Sequence, residues 1–77
     1  MRPLYQVAEE IARVWGSKVN YAARPYLSAM MQMSSISDKF GCDDGRSVVL
    51  YFLSNASSFR GEDARRLKAE LKQMLAA

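Results

Sequence analysis

The chain has 77 residues, 49% of them apolar and 25% charged, with a net charge of +3 and no histidine. That length supports a single domain, residues 1–77, burying about 60% of its extended-chain surface, which leaves no room for a deep substrate cavity. The apolar share argues against disorder, missing histidine removes the commonest general base and metal ligand, and the charge is thin for a dedicated polyanion binder.

The first element is an amphipathic helix over about 3–15. Leu4, Val7, Ala8, Ile11, Val14 and Trp15 share one arc of a helical wheel, and Gln6, Glu9, Glu10 and Arg13 take the other side. Pro3 stands where a helix begins, and Gly16 suits its C-terminal cap.

Pro25 opens a second helix, about 25–34. Tyr26, Leu27, Met30, Met31 and Met33 give it an apolar face wider than one neighbouring helix needs. Methionine repacks easily, so Tyr26, Met30, Met31 and Met33 are candidates for an adaptable protein-binding surface; filling the core is their plainer role.

Ser34–Gly45 is rich in serine, aspartate and glycine and reads as a loop. Ile36 and Phe40 are spaced to pin it, or one helical turn within it, onto the core. Asp38, Asp43 and Asp44 do not match the spacing of a calcium loop. Asp43 or Asp44 instead suits the N-cap of a third helix, about 44–56.

That third segment contains six consecutive apolar residues, Val48–Leu53, and is expected to be buried throughout. Periodicity does not distinguish a buried helix from a buried strand here. The aspartate in front and the lack of any partner strand favour helix.

The fourth helix, about 60–75, is sharply two-faced. Ala64, Leu67, Leu71, Met74 and Leu75 form its apolar stripe. Glu62, Arg66 and Glu70 follow at four-residue intervals and can pair along one flank. Arg60, Arg65, Lys68 and Lys72 form a basic flank, a candidate contact for nucleic acid or an acidic protein partner. Glu62 and Asp63 in the first turn oppose phosphate there.

These elements make an all-α fold: a compact four-helix domain with the apolar helix 44–56 at its centre and amphipathic helices around it. The single Cys42 has no histidine to activate it and fits a reducing cytoplasm. Glu9 and Glu10 interrupt any secretory signal, and no apolar run reaches the length of a membrane span.

Two blocks, YFLSNASSFRGEDARRLKAELKQML (Tyr51–Leu75) and RPYLSAM (Arg24–Met30), resemble small uncharacterised proteins encoded by tailed phages of actinobacteria. The resemblance implies a soluble accessory protein in a bacterial host cytoplasm and carries no activity, cofactor or site residue with it. The expected function is therefore non-enzymatic, without cofactor or metal: binding of a host or phage protein, with a homodimer or other structural oligomer, or a nucleic-acid-binding regulator, as alternatives.

Overall fold

The computed structural model describes the backbone of residues 1–77 and every side chain except that of Phe40. Four helices build it: α1 (Leu4–Trp15), α2 (Arg24–Met30), α3 (Gly45–Ser54) and α4 (Glu62–Ala76). Short 3-10 turns at Gly16–Lys18 and Tyr21–Ala23 lead from α1 into α2. The all-α, four-helix architecture is as the sequence predicts, and Val48–Leu53 is helical. No helix among the described residues is long and apolar enough to cross a membrane.

The core takes its residues from every helix. Leu4, Val7, Ala8 and Ile11 of α1 are fully enclosed, as are Val49 and Phe52 of α3 and Leu67 and Leu71 of α4. The central position differs from expectation. It is α1 that packs on both α4 and α2, whereas α3 packs chiefly on α2 and only lightly on α4. The Val48–Leu53 run is accordingly not buried throughout. Val48, Val49 and Phe52 face inward, while Leu50 and Tyr51 are 48% and 49% exposed. A helix covered on one side must turn some of any six-residue run to the other.

Helix α2 stops at Met30, four residues before the predicted end. The chain turns through Met31, and the carbonyls of Met33 and Ser34 accept hydrogen bonds from the N–H groups of Tyr5 and Leu4, both at 2.9 Å. Helix α1 begins after Pro3 without a side-chain cap, so its first two orphan donors are satisfied by this distant strip of backbone. The requirement is tertiary, and apolar periodicity does not reveal it.

The 34–45 segment holds a small hairpin in place of the expected helical turn. Strands β1 (Lys39–Phe40) and β2 (Asp43–Asp44) pair antiparallel, with Lys39 opposite Asp44. Gly41, at φ 65°, is the first of the two turn residues, as a type II′ hairpin needs. Ile36 packs against the core as predicted; the expectation for Phe40 lies outside the described side chains. Asp44 caps α3, its Oδ1 accepting from the Ser47 N–H at 2.8 Å. Asp38 accepts from the Ser34 N–H at 2.7 Å, so the loop aspartates serve local backbone order. Gly45 lies against the loop so closely that a Cβ there would stand 2.7 Å from the Ile36 Cα.

Candidate functional site

Charge is segregated in this fold. Between Arg24 and Asp38, and again between Arg46 and Arg60, the sequence holds no charged residue. These stretches supply most of α2 and α3, which pack on each other. Beyond Arg24 and Arg46 in their first turns, these helices therefore carry no charge on their outer surface, where Tyr26, Leu50 and Tyr51 lie. The rings of Tyr26 and Tyr51 lie 5.4 Å apart between centroids, joining the two helices at the surface.

The methionine site divides under this geometry. Met30 and Met33 are 0% and 1% exposed and belong to the core, which corrects their candidacy as binding residues. Met31 is partly buried against the core, beside a shallow cleft lined also by Ala12, Val19 and Leu27. Tyr26 is partly buried too and stays at the surface through its contact with Tyr51. The wide apolar arc of the second helix is explained by a turn that buries Met33 after the helix has ended. Leu50 and Tyr51 were hidden in sequence inside a run that looked wholly internal. The signal that finds them is the absence of charge on both stretches at once.

The opposite side, where α1 meets α4, carries the ions. Arg2 reaches Glu10 at 2.8 Å and Glu70 at 2.6 Å. Arg66 reaches Glu10 at 2.5 Å, Asp63 at 3.3 Å and Glu70 at 3.8 Å. Glu10 is thus gripped between two arginines rather than standing on a solvated face, and Glu62 is not among the partners of Arg66. Hydrogen bonds from Arg66 and then from Arg2 hold the Glu10 carboxyl below the usual carboxylate range. The same contacts raise both guanidinium groups.

The basic flank of α4 lies on the other side of its apolar stripe. Arg60, Arg65 and Lys72 are exposed, and Lys68 is half-buried. The Lys68 ammonium sits 5.8 Å from the centroid of the Phe59 ring. Burial pushes Lys68 below its ordinary value, and the positive charges of Lys72 and Arg60 push it further. Asp63 turns toward Arg66 and so away from this flank. Beside it lies a cleft of about 430 Å³ lined by Val14, Trp15, Lys18, Ser58, Phe59 and Arg60. Lys18, Val14 and the cleft itself escape sequence reasoning, because α1 and the 57–60 turn meet only in the fold.

Comparison with known proteins finds no match among family models, curated proteins or solved structures.

Proposed function

We propose that this protein is a non-enzymatic interaction module, and that it binds a partner protein through the charge-free face of α2 and α3. The observation that carries this reading is the pair Leu50 and Tyr51, large side chains each about half exposed on the helix that buries Val48, Val49 and Phe52, with Tyr26 beside them. Protein interfaces are depleted in charge and enriched in tyrosine at their centres, and large apolar side chains grouped at a surface mark contact sites. An uncharged patch is also electrostatically self-complementary, so a second copy of the chain fits the same chemistry. The resemblance to actinobacterial phage proteins supplies a setting, a bacterial host cytoplasm in which the partner is a host or phage protein.

The test compares the protein with a Leu50→Glu/Tyr51→Glu variant. Both side chains are exposed, so the variant keeps the helical circular-dichroism spectrum. Sedimentation across a concentration series measures self-association, and affinity capture from host lysate followed by direct binding of the captured protein measures a foreign partner. Both readings require a contact that the variant loses. A variant that associates and captures as well as the parent ends the proposal.

A further inference from the structure

A second surface is built differently from the charge-free face and lies apart from it in sequence. The cleft between the end of α1 and the turn before α4 has Lys18 and Arg60 in its walls, with Lys68 above the Phe59 ring. Among the described residues, no carboxylate lies within ion-pair distance of Lys18, Arg60, Lys68 or Lys72. Apart from Glu9 and Glu62, which form no ion pair among the described residues, the acidic groups of α1 and α4 are Glu10, Asp63 and Glu70. They are committed to Arg2 and Arg66 on the far flank. Lys68 thus stands among the like charges of Lys72 and Arg60 with no carboxylate paired to any of them, and an anion brought to this cleft relieves that repulsion.

The floor of the cleft decides which anion fits. Val14 is 41% exposed there, an aliphatic side chain open to contact. Trp15 and Phe59 stack on each other at 4.8 Å and are 7% and 3% exposed, so neither ring offers a free face for a nucleic-acid base. Single-stranded nucleic acid depends on such faces. A protein segment that places one apolar side chain between carboxylates matches both features: the apolar group meets Val14 and the ring edges, and the carboxylates meet Lys18, Arg60 and Lys68.

We infer that this cleft is a docking site for an acidic peptide segment with a central apolar residue, held by Lys18, Arg60 and Lys68. Trp15 is the single tryptophan of the chain, so its emission reports occupancy directly. The probe is a short synthetic peptide with one leucine flanked by aspartates and glutamates. Beside it run the same peptide with asparagine and glutamine in place of the acids, and a single-stranded oligonucleotide of equal charge.

The acidic peptide is expected to change Trp15 emission saturably and to bind about tenfold more weakly when salt is raised well above physiological strength. The neutral peptide leaves emission unchanged. A Lys18→Glu/Arg60→Glu variant, altered at two exposed positions and checked for its helical spectrum, loses binding at least tenfold. The Leu50→Glu/Tyr51→Glu variant retains it, so this site and the charge-free face stand or fall separately. Unchanged emission with the acidic peptide, undiminished binding by the Lys18/Arg60 variant, or tighter binding of the oligonucleotide overturns the inference.

Discussion

The indole of Trp15 and the ring of Phe59 stack at 4.8 Å with an interplanar angle of 21°, tying the last residue of α1 to the turn that launches α4. Phe52 of α3 meets the same indole edge-on at 6.1 Å. Three segments of the chain thus close on one tryptophan. Phe59→Ala is expected to cost about 3–5 kcal/mol, the range for deleting an enclosed aromatic side chain. Phe59→Leu restores most of the volume but not the stack, and should cost about 1–2 kcal/mol. Urea unfolding of the two variants separates packing from ring geometry; a Phe59→Leu protein as stable as the parent would deny the stack any particular role.

Met30 and Met31 are neighbours with opposite surroundings. A charge placed at Met30 enters a site with no exposure and no partner, so Met30→Asp should cost several kcal/mol and leave little folded protein. Met31→Asp should cost about 1 kcal/mol, because that side chain lies at the edge of the core. Thermal melts followed by circular dichroism check both. A folded Met30→Asp protein would show that the core reorganises there.

Gly45 occupies the first position of α3, where alanine is ordinarily the better helix former by about 1 kcal/mol. Here the order should reverse. The atoms a Cβ would strike at 2.7–2.8 Å are backbone atoms of Ile36 and Ser35, which have no rotamer to change. Gly45→Ala is expected to destabilise by about 3 kcal/mol, the upper end for overpacking. At Gly41 there is open space, and Gly41→Ala should cost only the strain of positive φ, about 1–2 kcal/mol. Chemical denaturation orders the two variants.

Acid should unfold the protein through identifiable carboxyls. Glu10 is held below its ordinary range by Arg66 and Arg2, and Asp44 by the Ser47 N–H and hydroxyl. For a group lowered on folding, the stabilisation is complete above the unfolded-state value and disappears as pH falls through the folded one. Glu10→Gln and Asp44→Asn should therefore be less stable than the parent at neutral pH and converge with it in strong acid. Midpoints measured across that range decide; a constant gap at every pH would mean that the charges are not responsible.

Much of this architecture is legible from residue order because local rules govern it. Proline, glycine and apolar spacing place the ends of α1, and the aspartates at 43 and 44, one of which must cap it, announce α3. The stripe Ala64, Leu67, Leu71 and Met74 orients α4. What sequence conceals depends on partners far along the chain. Met33 looks like part of a helix because its spacing suits one, yet the N–H groups at the start of α1 draw its backbone elsewhere. Leu50 and Tyr51 look internal because their neighbours are, but only the packing of α3 on α2 shows which side is left uncovered. The basic flank of α4 could be read from its spacing. The cleft beside it could not, since Val14, Lys18 and Arg60 belong to different turns.

The packing of α1 on α4 has a consequence for synthesis. Of the four helices described, the first finds much of its cover in the fourth. Until α4 emerges, the apolar face of α1 has only α2 for cover, and the carboxylate of Glu10 has Arg2 beside it but lacks Arg66. Folding of α1 is thus coupled to residues far along the chain, and a nascent chain halted before α4 presents a half-covered apolar stripe to whatever receives it at the ribosome.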